Sequence, residues 1–350
     1  MEITLNKAYE RVMEVLRAGL VPFIHGPPGT GKSDLARKIA ARNHLLYIDI
    51  RLSTADPNDM TGFPKTFKDA DGVEYASYVS FDTFPLEGSS VPEGYKGWLI
   101  NFDEFNSAPL AVQAACYKII LDRLIGQRKL HPKAAMIAMG NRIGDKGVVN
   151  RMPTPLQSRF VHFEIAGGDT EGWLKWADDP DSNIDYRIKA FMGFKPEALY
   201  RFNPDHDDYT YPCNRTWHFL SRIMQANKWD DIKMEHMPTI AGVIGEGMAS
   251  EFFGYCELFG KIPDIRQIME NPGTIQFDEG DPGICHALTA LVAANMDVEN
   301  TDQLMKFINR MEIDFQVVAL RSAIANDIKI KNCASVKKWI STNARELNRG

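Results

Sequence analysis

Gly26-Pro27-Pro28-Gly29-Thr30-Gly31-Lys32-Ser33 fits the pattern G-x-x-x-x-G-K-[ST] at every position. A loop of this composition turns backbone N–H groups inward, and such groups wrap the phosphates of a nucleotide. Lys32 would reach the β- and γ-phosphates, and Ser33 would supply an oxygen to Mg²⁺. The pattern is short, so its flanks decide the matter. A buried strand should enter it and a helix should leave it. Leu20-Val-Pro-Phe-Ile24 is an apolar run that ends at His25. Residues 33–42 are good helix formers, with Leu35, Ala36, Ile39 and Ala40 at helical spacing. The plain alternative is a Gly/Pro turn beside a surface lysine, and both flanks speak against it.

Outward from the loop, short apolar runs alternate with helical patterns up to about residue 165. That alternation is the α/β signature of a mostly parallel sheet. Strands are expected at 21–24, 45–50, 98–102, 135–139 and 160–165, giving a five-stranded sheet. Helices are expected at 5–17, 33–42, 109–124 and 154–158. Residues 54–93 are rich in Gly, Pro, Asp, Ser and aromatics, and read as loops and short hairpins inserted into the core. Beyond 166 the strand signal fades, and 217–227, 240–259, 283–294, 301–324 and 335–347 look helical. The expected organisation is a nucleotide-binding core over 1–165, a helical lid over 166–259 and a helical C-terminal extension over 260–350.

A second carboxylate-bearing strand is the next requirement of nucleotide chemistry. Gly97-Trp-Leu-Ile-Asn-Phe-Asp103-Glu104 supplies it: an apolar strand runs into two adjacent acids. The carboxyl edge of a parallel sheet is where ligands bind. Asp103 would complete the Mg²⁺ shell, and Glu104 would polarise a water for attack on the γ-phosphate. An exposed Asp-Glu turn is the alternative for this pair. Met136-Ile-Ala-Met-Gly-Asn141 ends a further apolar strand in an amide. Asn141 would bond the γ-phosphate or orient the water, or else simply sit in a turn. In Thr154-Pro-Leu-Gln-Ser-Arg159-Phe160 an arginine precedes a strand, where it could face a neighbouring subunit. Guanidinium suits a developing phosphoryl charge, although a surface cap is also open. Arg151 is a second candidate nearby. Tyr211-Pro-Cys-Asn-Arg215 introduces a lid helix. An arginine at a helix start opposes the helix dipole, so Arg215 leaning over the phosphates competes with a solvated face.

Bulk properties narrow the class. The chain has 350 residues, 44% hydrophobic and 25% charged, with net charge −6. That is ordinary for a globular protein and argues against a dedicated nucleic-acid coat. No apolar run approaches the roughly 18–20 residues of a membrane helix, and the N-terminus lacks a signal-peptide pattern. Cys116, Cys213, Cys256, Cys285 and Cys333 are scattered without a C-x-x-C pair. Reduced thiols in a cytoplasm are expected, with no metal other than the nucleotide's Mg²⁺.

Taken in order, the phosphate loop, Asp103-Glu104-Phe-Asn106, Asn141, Ser158-Arg159-Phe160 and Asn214-Arg215 resemble AAA+ ATPases, specifically the MoxR group. Ala55-Asp-Pro-Asn-Asp-Met-Thr-Gly62 and Ala138-Met-Gly-Asn141 are similar to that group's patterns, over about residues 18–225. The resemblance implies Walker A at 26–33, Walker B at Asp103 and Glu104, sensor 1 at Asn141, the arginine finger at Arg159 and sensor 2 at Arg215. It implies ATP and Mg²⁺ as cofactors and a homo-oligomeric ring, usually a hexamer, whose sites borrow an arginine from the neighbour. It implies remodelling of a partner, often a von Willebrand factor A domain protein or a metalloenzyme client. Two departures stand out. Asn141 is followed by Arg-Ile-Gly-Asp-Lys-Gly147, so Arg142 and Lys146 could join the site or a subunit interface. Arg159 follows Ser rather than the family's frequent Asp.

The insertion carries Phe63, Phe67, Tyr75, Tyr78, Phe81 and Phe84. In the resembling family such insertions face the ring's channel, where aromatics would grip a polypeptide; packing on their own core is the equal alternative. Stacking on unpaired bases is opposed by Asp69, Asp71, Glu74, Asp82 and Glu87, which would repel a phosphate backbone. The leading expectation is therefore an ATP-driven ring that remodels a protein. The alternative is a nucleic-acid motor or loader on the same scaffold. A nucleotide-gated switch and a small-molecule kinase fit Glu104, Asn141 and Arg159 less well, and GTP in place of ATP stays open.

Overall fold

The computed structural model describes residues 2–347 apart from 143, 146–149, 180, 181, 206 and 207. Its contacts divide the chain into two compact units, Met1–Gly167 and Gly168–Gly350.

The first unit runs β1 (Glu2–Ile3), α1 (Leu5–Arg17), β2 (Val21–His25), α2 (Lys32–Arg42), β3 (Leu45–Arg51), α3 (Pro57–Thr61), β4 (Phe63–Lys68), β5 (Glu74–Val79), β6 (Gly97–Asp103), α4 (Leu110–Asp122), β7 (Leu124–Ile125), β8 (Arg128–Lys129), β9 (Ala134–Gly140), α5 (Thr154–Gln157) and β10 (Phe160–Ile165). Six strands form one sheet in the order β1-β10-β2-β9-β6-β3, and every pairing is parallel. The expectation of five strands is corrected by β1 at the edge. Two residues are too few to show a strand period, and pairing of Glu2 and Ile3 with Glu164 and Ile165 creates the element.

A parallel sheet needs both faces covered, and the side chains divide accordingly. Ile24, Leu99, Ile137 and Met139 pack against Ala8 and Val12 of α1 and Leu35 and Ile39 of α2. Phe23, Ile100, Phe102 and Ala138 pack on the other face against Val112, Cys116 and Ile119 of α4. All seven residues of β6 are buried, which is why its run reads as continuously apolar. Pro22 lies in the interior strand β2 without losing a ladder bond to β9, because that pairing begins at Phe23 and Ala138.

The inserted segment contains α3 and the antiparallel hairpin β4–β5. Its aromatics part company. Phe84 is in the core, while Phe63, Tyr75 and Tyr78 are exposed. Phe67 stacks on Tyr75, and Phe63 meets Phe81 edge-on.

The second unit is helical: α6 (Thr170–Ala177), α7 (Tyr186–Phe194), α8 (Asn214–Ala226), α9 (Met237–Ile244), α10 (Glu246–Cys256), α11 (Ile265–Glu270), α12 (Pro282–Asn295), α13 (Thr301–Ile308), α14 (Ile313–Asn326) and α15 (Ala334–Leu347). Two long helical stretches expected from periodicity are each two helices. The stretch 240–259 breaks at Gly245, and 301–324 breaks where Glu312 turns extended. One cluster gathers Phe191, Trp217, Leu220 and Phe252. Another gathers Leu288, Val292, Leu304, Phe307 and Leu320. Helix α12 serves both, through Ala287 on one side and Leu288 on the other. Among the described residues no helix is long and apolar enough to cross a membrane.

Candidate nucleotide site

Strand order builds the site. Strands β2, β9 and β6 are neighbours and run parallel, so their carboxyl ends lie side by side. The ends carry the loop 26–31, Asn141 and Asp103-Glu104 respectively. Three segments far apart in the chain therefore meet at one edge.

The loop leaves β2 at His25 and enters α2 at Lys32. Gly29 has φ 78° and Gly31 φ 91°, the left-handed region that a side chain disfavours. Thr30 Oγ1 donates to the carbonyl of Pro27 at 3.0 Å, which holds the turn. Lys32 Nζ donates to the carbonyls of Gly26 at 2.7 Å and Pro27 at 2.8 Å. It also approaches Asn141 Oδ1 at 3.4 Å. Ser33 Oγ donates to Asp103 Oδ2 at 2.9 Å. A hydroxyl and a carboxylate in contact form the hard oxygen pair that Mg²⁺ takes alongside substrate phosphates, so the residues present fit Mg²⁺ beside a phosphate chain.

Glu104 sits beyond the end of β6 with φ 53°. A non-glycine residue held there costs about 1–3 kcal/mol and often marks a functional position. Its backbone N–H donates to Asp103 Oδ1 at 2.9 Å. Its carboxylate accepts from Ser53 Oγ and lies 3.7 Å from Arg51 Nε. These two partners follow from pairing: β3 lies beside β6, with Arg51 opposite Asp103. Nothing in the local pattern of 45–54 pointed to Ser53 or Arg51.

Asn141 is clamped by Asn106. The Asn106 Nδ2 donates to the carbonyl of Asn141 at 2.6 Å, and the Asn141 N–H donates to Asn106 Oδ1 at 3.1 Å. The N–H of Asn150 donates to the carbonyl of Asn106 at 2.6 Å. Asn106 is buried, and a buried amide beside the acids of an apolar strand was the available signal. The clamp explains Gly140. A Cβ there would stand 2.2 Å from Asn106 Oδ1 and 3.1 Å from Phe23 Cζ. Gly140→Ala is therefore expected to cost about 1–3 kcal/mol, the usual penalty of overpacking. Adding Asn106→Ala should relieve part of that cost, since residues in contact are not additive. Denaturant unfolding of the two single variants and the double variant reads the coupling; strict additivity would refute the clash.

Arg142 goes elsewhere. Its Nη2 donates to Glu2 Oε1 at 2.7 Å and to the carbonyl of Ile165 at 2.8 Å, and its Nε lies 3.0 Å from Glu164. These contacts tie it to β1 and β10, away from Lys32. Lys146 lies outside the described residues. Arg159 is exposed in the turn between α5 and β10, and its guanidinium has no hydrogen bond or ion pair among the described residues. Arg151 is likewise exposed. Arg215 lies in the first turn of α8, exposed, in the second unit.

His25, next to the loop, is held neutral. Burial pushes its pKa down to about 4, assisted by His162 and Lys32. Its ordinary value is about 6.5. Between these values the unfolded chain binds a proton that the folded chain refuses, so stability falls as pH drops from about 6.5 towards 4. Burial of His286 acts with the same sign. Melting temperature measured across that window should fall less steeply in His25→Gln than in the native chain. Equal slopes would refute the assignment.

No protein-family model matches the chain, and no curated protein matches it in sequence. Among solved structures, a RuvB variant of Thermotoga maritima is 16% identical with a TM-score of 0.40, covering 77% of this chain and 76% of its own. A Cytophaga hutchinsonii protein assigned as an ATPase is 14% identical with a TM-score of 0.37, covering 99% and 91%. NtrX of Brucella abortus is 13% identical with a TM-score of 0.39, covering 99% and 68%.

Proposed function

We propose that the chain is a Mg²⁺-dependent AAA+ ATPase of MoxR type, which assembles as a ring and uses hydrolysis to remodel a partner protein. The observation that carries the ATPase reading is the contact of Ser33 Oγ with Asp103 Oδ2 at 2.9 Å, with Lys32 on the same loop 3.4 Å from Asn141. A structural turn has no need to bring a loop lysine, a hydroxyl, a carboxylate and an amide from three strand ends together.

In the proposed mechanism the loop amides and Lys32 receive the phosphates, and Lys32 exchanges the carbonyls of Gly26 and Pro27 for phosphate oxygens. Ser33 and Asp103 would hold Mg²⁺, which neutralises phosphate charge when bound. Asn141, fixed by Asn106, orients the water or bonds the γ-phosphate. Glu104 leaves Ser53 and Arg51 to take the proton of that water as it attacks phosphorus. The bond to the β-phosphate oxygen breaks, yielding ADP and inorganic phosphate. Arg159 of a neighbouring subunit stabilises the charge that develops. A cation supplied from a neighbour lowers the barrier only when the ring is assembled.

Protein remodelling is preferred over a nucleic-acid motor because the exposed hairpin joins Phe63, Tyr75 and Tyr78 with Asp69, Asp71 and Glu74. Acids beside aromatics suit a polypeptide better than a phosphate backbone. The test is ATP turnover per subunit measured against protein concentration, with and without DNA or RNA. Turnover should rise with assembly and ignore nucleic acid. Strong, salt-sensitive stimulation by DNA or RNA would transfer the chain to the motor class. A client would be found as a protein retained by Glu104→Gln in ATP, and a von Willebrand factor A protein or a metalloenzyme is the expected kind.

A further inference from the structure

On the sheet face opposite α1 and α2, a cavity of about 640 Å³ is lined by His25, Asn106, Arg151, Gln157, His162 and Glu164 among others. Two histidines cross its floor. His25 Nε2 lies 2.9 Å from His162 Nδ1, and His162 Nε2 lies 2.8 Å from the carbonyl of Gln157. Their rings are stacked, and His25 is stacked on Phe23 in turn.

Chemistry orders this chain. A carbonyl only accepts, so His162 must carry its proton on Nε2 and donate to Gln157. In the neutral ring Nδ1 is then an acceptor, and His25 must donate to it from Nε2. One directed path therefore runs from His25, the residue before the phosphate loop, to the last residue of α5. Gln157 stands two positions before Arg159. The backbone of Arg159 is tied in the same turn, its N–H donating to the carbonyl of Leu156 at 3.0 Å. On its other side Gln157 is held by its own side chain, whose Nε2 donates to the carbonyl of Met152 at 2.7 Å. The guanidinium of Arg159 has no partner among the described residues, so within them what aims it acts through this backbone.

We propose that His162 is a positioning residue for Arg159: it pins the α5–β10 turn to β2 so that the arginine is presented to the neighbouring subunit in register with the phosphate loop. The inference rests on the reading of Arg159 as acting in trans. A displacement of about 1 Å in a group that meets the transition state costs up to about a hundredfold in rate.

The test mixes native subunits with an excess of Lys32→Ala subunits, which have no working site but still offer Arg159. Three donors are compared: Lys32→Ala alone, Lys32→Ala with Arg159→Ala, and Lys32→Ala with His162→Phe. Phenylalanine keeps the ring stack and removes both hydrogen bonds. Turnover per native subunit should be sustained by the first donor and lost with the second. The third should lower it by about ten- to a hundredfold, with KM for ATP unchanged. Replacing His162→Phe by His162→Gln, which retains a donor for the Gln157 carbonyl, should recover part of the loss. If the third donor matches the first, the pin is refuted while the trans reading stands. If the second donor also matches the first, the trans reading itself fails and the pin falls with it. A third donor that raises KM and lowers the melting temperature without changing kcat would mean that His162 only holds the sheet, and would overturn the proposal.

Discussion

Arg159→Ala is expected to leave MgATP binding unchanged and to reduce turnover by about 10³–10⁵-fold, the usual worth of an arginine supplied to a phosphoryl-transfer site. The structure makes this variant clean. Arg159 is exposed and its guanidinium has no partner among the described residues, so its removal should change stability by no more than about 0.5 kcal/mol. A loss of activity then cannot be blamed on unfolding. Nucleotide affinity should survive because Lys32, Ser33 and Asp103 lie on other strand ends. Equilibrium binding of a fluorescent ATP analogue and steady-state hydrolysis separate the two effects. Turnover that survives the substitution, or that is independent of assembly in the native chain, would exclude a finger acting across subunits.

Glu104→Gln is expected to trap ATP. Glutamine has the shape of glutamate and can keep the contact with Ser53, but a neutral amide does not take a proton from water. General-base assistance is worth about 10²–10⁴-fold, and hydrolysis should fall by that factor with binding preserved. The backbone at Glu104, with φ 53°, is no worse for glutamine than for glutamate, so folding should be unaffected. Asp103 behaves differently by its position. It touches Ser33 directly, so its loss should weaken Mg²⁺-dependent binding itself. Single-turnover assays that show near-native hydrolysis in Glu104→Gln would remove Glu104 from the role of base.

Several parts of this architecture are legible in the sequence. Residues 26–33 are a local motif, and the glycines at 29 and 31 are demanded by the loop's own backbone. The apolar runs at 21–24, 98–102 and 135–139 announce buried parallel strands, because strands covered on both faces must be continuously apolar, while 45–50 and 160–165, interrupted by Asp49 and by His162 and Glu164, are only partly buried. The helices α1 and α2 announce themselves by their period. The misses have two causes, long-range pairing and local breaks. Strand β1 is made by its partner β10, and the breaks at Gly245 and Glu312 are turns within otherwise continuous helical periods. Asn106, Ser53 and His162 act through residues 35, 51 and 137 positions away in the chain.

The sequence by itself therefore nominated a kind of ligand and a list of groups to act on it: a loop proposed for phosphates, acids proposed for metal and water, and arginines without an obvious structural duty. The order of strands decided which of them meet. With β9 inserted between β2 and β6, Asn141 falls beside Lys32; with β3 outside β6, Ser53 and Arg51 reach Glu104. Local composition sets a segment's period and its turns, but adjacency between strands is settled by burying both faces of the sheet at once. That collective choice is why Arg142, as close to Asn141 in the chain as a residue can be, pairs with Glu2 and Glu164 at the far edge.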